Sequence, residues 1–398
     1  MHDYTKAHNR VRAIFFLHGA AFSSWVPHIP LVQERLDLGH NDLGGILLAA
    51  AIGVLAVMPI AGRLADRFGS ERVVRYSGLF YFIAVGLPAF MPSYLSITIA
   101  MFALGFSGAF LDVAMNANGL NVERLRGRSI MSGLHGFWSL GGFAGAGIAA
   151  AWFALPIPIA AHLPTVLSIF LIAHVIMQAG LVPDAAVHAQ TSQPDIQQPN
   201  PSTQNLKRRP LIVFLLPFGV CAFIGQFGEG VITDWATVFM NSELSSGPTM
   251  AAVGFAIYSC AMAATRLSGD MLVMKFGRAQ VLLASSCLAS LGTFIIALSP
   301  HFVVAWIGCA IAGMGLAVIL PLLLSAASKA TGKGGGTVVS IIAATGYSAI
   351  MAGPPVIGAI GELFGLVNAF IVTASFLSLI IPVYLLTMRR RLQIAGNG

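Results

Sequence analysis

Residues 43–72 read LGGILLAAAIGVLAVMPIAGRLADRFGSER. Twenty uncharged residues, Leu43 to Gly62, are followed at once by a charged stretch holding Arg63, Asp66, Arg67, Glu71 and Arg72. A helix rising about 1.5 Å per residue covers the ~30 Å hydrocarbon core of a bilayer in such a run. Composition extends the reading to the whole chain, since 57% of its 398 residues are hydrophobic and 9% are charged. A soluble domain carries charge on about a quarter of its residues, so these charges are too few for a water-facing surface. In lipid each backbone N–H and C=O must be satisfied within its own segment, and the runs have helix length, unlike the roughly ten-residue alternations of a barrel. The fold class expected is an all-α membrane protein.

Twelve spans are expected, near 12–33, 42–62, 73–91, 94–120, 129–152, 163–182, 211–239, 248–268, 279–298, 301–327, 335–360 and 364–388. Between the sixth and seventh lies a stretch of different character, Pro183 to Pro210, with Pro194, Pro199 and Pro201 among Gln, Ser, Thr and Asp. That composition predicts a water-exposed linker at 183–210 between six-helix bundles at 1–182 and 211–398.

The positive charges set the orientation. With both termini in the cytoplasm, the inner segments hold Lys6, Arg10 and Arg12; Arg63, Arg67, Arg72 and Arg75; and Arg124, Arg126 and Arg128. Lys207, Arg208 and Arg209 follow, then Arg266, Lys275 and Arg278, then Lys329 and Lys333, then Arg389, Arg390 and Arg391. Only Arg35 of the 22 Lys and Arg falls outside. This positive-inside split predicts a multi-pass protein of a bacterial-type inner membrane, its basic loops held by the anionic leaflet with no call for nucleic acid. Cys221, Cys260, Cys287 and Cys309 all fall in apolar spans, so neither a disulfide framework nor a metal site is expected. The polar start, Met1 to Arg12, does not resemble a cleaved signal.

The charged stretch Gly62-Arg63-Leu64-Ala65-Asp66-Arg67-Phe68-Gly69-Ser70-Glu71-Arg72 resembles the G-x-x-x-D-[RK]-x-G-x-[RK]-[RK] signature of the major facilitator superfamily, with Ser70 and Glu71 before a single basic residue. The R/K-F-G core recurs 208 residues later, where Arg266, Gly269, Asp270, Lys275, Phe276, Gly277 and Arg278 follow the eighth span. Met274 takes the place of Asp66 there, and Asp270 stands one turn earlier. The resemblance implies twelve helices in two bundles and a latch made by Gly62, Asp66, Arg67, Gly69 and Arg72 with Asp270, Lys275, Gly277 and Arg278. Gly62 is expected to allow close helix contact and Arg67 and Arg72 to bridge to acids across the bundle. The runs at residues 15–19, 111–116, 132–142 and 230–235 are similar to the YbjJ/MosC-like branch of that superfamily. Leu111 to Asn116 also resembles the fourth-helix run of fucose/proton symporters, which implies a proton-coupling carboxylate at Asp112.

Three ionisable groups inside the spans are candidates for proton coupling. Asp112 lies about 18 Å along its helix from Arg124, with Asn116 on its face at i+4. A charge there is costly, so the acid either couples protons or is hydrogen-bonded and ties helices together. His135 heads a stripe with Trp138 and Ser139, which suits either a solute and a proton relay with Asp112 or a packed neutral imidazole. Glu229 shares a face with Gln226 and Thr233 on span seven, which suits either a solute clamp or an acid near the periplasmic water layer. Asp234, closer to the outer end, is expected to meet water. His18, Phe22 and Trp25 form an aromatic stripe on span one that fits a binding wall or packing.

No H-E-x-x-H, no G-x-S-x-G and no Cys/His ligand spacing occurs, so neither an enzyme nor a cofactor is expected. The functional expectation is a monomeric secondary transporter moving a small polar solute, a sugar, polyol or related compound, by proton-coupled uptake with Asp112 as the principal coupling acid. The alternative is a proton-driven exporter of drugs or lipophilic cations, since an aromatic cavity with acids binds them as readily.

Overall fold

The computed structural model describes residues 4–127, 130–184, 208–331 and 336–388. Most of the expected linker, with Lys207, lies outside the described residues, as do Arg128, Lys333 and Arg389 to Arg391. The helices of the first half are α1 (Thr5–Trp25), α2 (His40–Phe68), α3 (Ser70–Gly86), α4 (Tyr94–Arg126), α5 (Met131–Phe153) and α6 (His162–Gln178). Those of the second half are α7 (Arg208–Ser242), α8 (Gly247–Phe276), α9 (Arg278–Ala297), α10 (Phe302–Leu316), α11 (Gly336–Phe364) and α12 (Leu366–Ser378). Short helical pieces continue α1 through Val26–His28 and Ile29–Arg35, α10 through Ile319–Thr331, and α12 through Ile380–Val383 and Tyr384–Met388.

Ten of these helical spans are long and apolar enough to cross a membrane. The two that fall short are α1 and α5, and the reason is physical. α1 carries Lys6, Arg10, Arg12, His18, Ser23 and Ser24, and α5 is diluted by glycines and by His135 and Ser139. Their polar and small residues face one another. A Cβ on Gly141 would stand 2.0 Å from Phe16 O, and one on Gly145 the same distance from Ala20 O, so the backbones touch where only glycine fits.

Helices α1 and α5, α2 and α4, and α3 and α4 pack together in the first half, as α7 and α11, α8 and α10, and α9 and α10 do in the second. The halves meet chiefly through α5 against α8 and α2 against α11. Their kinship extends to backbone conformation. Gly69 ends α2 at φ 92°, ψ 135°, and Gly277 ends α8 at φ 81°, ψ 150°, the left-handed stop that glycine adopts without strain.

Two spans are broken where the sequence reading had them continuous. The first begins at Thr5, well before the expected start, and passes through a tight turn at Val26–His28 that contains Pro27. The tenth stops at Leu316 and resumes at Ile319. Pro321 has no N–H to give the carbonyl of Ala317 four residues back, so that carbonyl is left for another donor.

The end of the bundle opposite the basic residues is shut by α2 against α11. A Cβ on Gly44 would stand 2.7 Å from Pro354 O, and one on Gly358 would stand 2.6 Å from His40 O. The Glu362 carboxylate accepts from the amides of His40 at 2.8 Å and Asn41 at 3.4 Å, holding the start of α2 to α11. Phe80, Leu95, Ile172, Leu291 and Leu386 are exposed around the outside, the face a bilayer would cover.

Candidate functional site

A cavity of about 440 Å³ lies between α5, α7, α8 and the broken α10. Its polar lining comprises His135 of α5, Gln226 and Glu229 of α7, Arg266 and Asp270 of α8, and Arg278 at the start of α9. Gln226 and Glu229 reach it together because residues three apart share a helix face, and Arg266, Gly269, Asp270 and Val273 do so for the same reason. The cavity reaches the basic end of the bundle at Arg278 and Ser325.

Arg266 organises the site, and here the charge map needs correcting. The sequence reading placed Arg266 among the basic loops. It instead sits ten residues, about 15 Å, short of the end of α8 at Phe276. Its Nη2 donates to Glu229 Oε1 at 2.9 Å, its Nη1 to Ser139 Oγ at 2.9 Å and its Nε to the Ala317 carbonyl at 3.3 Å. The last of these is the acceptor that Pro321 leaves free. Both charged side chains are four-fifths buried, at 19% and 20% exposure. Desolvating a charge is tolerated only where it is paired and hydrogen-bonded, and this pair meets that condition. The signal available in the sequence was Arg266 standing fewer than thirty residues from Ser242 with only apolar and small residues between Met250 and Thr265.

A narrower void of about 30 Å³ adjoins Glu229 on the side away from the basic end, lined by Phe22, Trp138, Ser139, Thr233, Tyr258 and Met262 among others. Seven of the eight residues expected to touch solute thus fall into three groups. Gln226, Ser139, Thr233, Trp138 and Phe22 line one void or the other. His18 turns into the first half: its Nδ1 accepts from Trp138 Nε1 at 2.8 Å, its ring stacks on Tyr81, and the Tyr81 hydroxyl donates to its carbonyl at 2.9 Å. Trp25 is buried and stacks on His28, whose Nε2 lies 2.9 Å from His162 Nδ1.

Asp112 and Asn116 are joined within α4, where the Asn116 amide donates to the Asp112 carbonyl at 2.8 Å and to its carboxylate at 3.1 Å. Asp112 lies within electrostatic reach of Tyr81 on α3. Neither residue lines the cavity. His135 does, and it packs edge-on against Phe15; among the described residues no hydrogen bond joins it to Asp112.

Gly62, Asp66, Arg67, Gly69 and Arg72 lie where α2 gives way to α3, and none of them makes an ion pair among the described residues. Nothing stands within 4 Å of a Cβ on Gly62, so no close helix contact exists there. Arg67 lies over the ring of Phe68 at 5.3 Å and Lys275 over Phe276 at 5.2 Å, while Asp270 and Arg278 face the cavity. Among the described residues the ion pairs are His40–Glu362 and Arg266–Glu229, and neither involves Asp66 or Arg72. A knot the sequence reading assigned to linker lies alongside. The Asp184 carboxylate accepts from Ser70 N at 2.8 Å, Ser70 Oγ at 2.5 Å and Asn121 Nδ2 at 2.7 Å, tying the segment after α6 to α3 and α4. Glu71, which stands where the signature has a basic residue, joins the knot by accepting from the Asp184 amide at 3.3 Å. Among the described residues no three His, Cys, Asp or Glu side chains gather as metal ligands would.

Comparison with known proteins agrees with this architecture. The family model described as Major Facilitator Superfamily matches residues 13–342 and 219–396. An uncharacterised MFS-type transporter of Yersinia pestis is 31% identical over 361 residues, covering 90% of each chain. The membrane protein MosC of Rhizobium meliloti is 26% identical over 90% of this chain and 84% of its own. Among solved structures, a D-xylose-proton symporter superposes with a TM-score of 0.77 over 95% of this chain and 97% of that one, at 12% identity.

Proposed function

Because the chain belongs to the Major Facilitator Superfamily, we propose that it takes up a small polar solute, a sugar, polyol or related compound, by proton-coupled alternating access. The observation that carries this reading is the ion pair between Glu229 and Arg266 in the wall of a cavity built mainly by the second half, with His135 of the first half at its edge. Glu229 can exist in two states with different partners. Ionised, it holds Arg266; protonated, it releases the guanidinium to a solute. A proton and a solute whose bound states favour the same conformation are coupled by that difference alone. We therefore put the coupling proton on Glu229, with His135 beside it in the same cavity, ahead of Asp112 on α4, the acid that the sequence reading favoured.

The cavity faces the basic end, and the α2–α11 contact shuts the other. In the proposed orientation the basic end and both termini are cytoplasmic, so the conformation is open inward, and the protein acts as a monomer in the inner membrane. Export of lipophilic cations is the weaker reading, because Arg266 and Arg278 place positive charge where such a cation would bind. The test is uptake into proteoliposomes with an inward proton gradient, offering sugars, polyols and their acids against a lipophilic cation. Gradient-dependent accumulation of a polar solute is expected, and accumulation of the cation alone contradicts the reading. Cysteines at His40 and Ser242 should react from the outside and those at Gln193 and Asn397 from the cytoplasm; a reversed pair refutes the orientation.

A further inference from the structure

We infer that the solute is an anion, a small hydroxylated carboxylate, which Arg266 binds only when Glu229 carries a proton. The inference rests on the proposed reading of the site and names its substrate class.

The donors of Arg266 come first. A guanidinium offers five N–H groups. Three are spent here, one each on Glu229, Ser139 and the Ala317 carbonyl, and each partner comes from a different helix. Ser139 and Ala317 hold the group in place whatever Glu229 does. Among the described residues two N–H groups, one on each terminal nitrogen, are left for a further acceptor. Glu229 itself is bound through one oxygen, not as a two-pronged fork, so the strongest pairing available to an arginine is not yet used.

The charges of the wall point the same way. Glu229 is faced by Arg266, Asp270 and the Tyr258 hydroxyl from α8 and by His135 from α5, with Arg278 on the far side of the cavity. Two acids and two arginines balance when both acids are ionised. A neutral solute gains nothing from breaking that balance, and a cation meets the arginines. A carboxylate arriving beside ionised Glu229 is repelled, whereas beside protonated Glu229 it restores neutrality by taking the place of that acid on Arg266. The proton ends on Glu229 Oε1 and the guanidinium exchanges one carboxylate for another, with no covalent bond changed. The loaded carrier then reorients with the same net charge in its wall as the empty one, which avoids moving an unpaired charge through the bilayer.

The remaining lining is mixed, with Val273, Leu316, Val318, Leu320, Leu322 and Leu324 making an apolar wall around a few polar groups. Gln226 and Ser325 offer polar groups toward the cavity beside His135, and each can take a hydroxyl. The volume of about 440 Å³ is that of a small-molecule site.

The purified full-length protein, in detergent, would be tested by thermal shift against pairs differing only at one carbon: gluconate with glucitol, galactonate with galactitol, and glucuronate with glucose. Sugar acids stay ionised at both about pH 5.5 and about pH 8, so a change in binding reports the protein. At least one acid should stabilise the protein at the lower pH and bind about tenfold more weakly at the higher, its neutral partner having no effect. Glu229→Gln should bind that acid equally at both, and Arg266→Gln should not bind it. If Arg266→Gln cannot be purified, Arg266→Lys keeps the charge without the fork and should lose about tenfold in affinity. Binding of neutral partners as tight as of the acids, failure of every acid to bind, or full affinity in the arginine variants overturns the inference. Proton-driven uptake of a neutral member by the same preparation would overturn the anion and leave the transport reading standing. Uptake of an acid with no dependence on the proton gradient would instead remove the coupling.

Discussion

Asp112 and Glu229 stand on α4 and α7, the fourth helix of one half and the first of the other, and each is an acid within a membrane span, yet they are satisfied in opposite ways. Asp112 receives its hydrogen bond from Asn116, one turn along the same helix. Glu229 is held by Arg266 of α8, which in turn holds Ser139 of α5 in the other half and the freed carbonyl of α10. A bond inside one helix travels with it and is blind to the movement of the halves. A bond relayed across the α5–α8 contact can be made or broken by that movement. On the proposed reading, coupling between proton, solute and conformation sits at Glu229, whereas the carboxylate of Asp112 holds a hydrogen bond inside its own helix.

The comparison breaks most sharply at Arg266. Truncation to alanine leaves Glu229 buried and unpaired, which costs about 3 to 5 kcal/mol in folded proteins. Arg266→Ala should therefore unfold at distinctly lower temperature in detergent and lose transport, and adding Glu229→Gln should restore most of the stability. No recovery in the double variant would mean that the two side chains are not a unit. Next in size is the closed end. Gly44→Leu would push a side chain into Pro354 O, so α2 and α11 should fail to close and a cysteine at His40 should react faster from outside; unchanged reactivity would free that contact of a gating role. Asp66→Asn removes a latch that is unmade here, so it should slow turnover about tenfold while the melting temperature stays put. Smallest is Ser139→Ala, which deletes one hydrogen bond to a charged group worth about 1.5 to 3 kcal/mol at most and leaves the ion pair. It should weaken solute binding severalfold in a transport titration, and a complete loss would move the centre of the site to α5.

Most of the fold was legible because bilayer length and positive charge are written locally. The run at residues 43–62 and the Arg-Phe-Gly and Lys-Phe-Gly stops at Gly69 and Gly277 need no tertiary context. What escaped depends on context. Arg266 was counted with the loops because an arginine near a span end looks like an anchor, and only its partners on α5, α7 and α10 reveal it as intramembrane. The break at Leu316 hangs on Pro321 and on a donor supplied from fifty-one residues earlier. His18 and Trp25 share a helical stripe with Phe22, but which side of α1 meets the cavity is decided by Tyr81 and His28, far off in sequence or past a turn. Asp184 looked like linker since nothing local says that it will meet Ser70.

The central claim is that Glu229, not Asp112, carries the coupling proton. It is tested most directly by measuring, in proteoliposomes of Glu229→Gln and of Asp112→Asn, both gradient-driven accumulation of a transported solute and its exchange between equal pools. The account predicts that Glu229→Gln loses accumulation and keeps exchange, because glutamine imitates the protonated acid, while Asp112→Asn retains both. Accumulation at the unmodified level in Glu229→Gln, with its loss in Asp112→Asn, would contradict it.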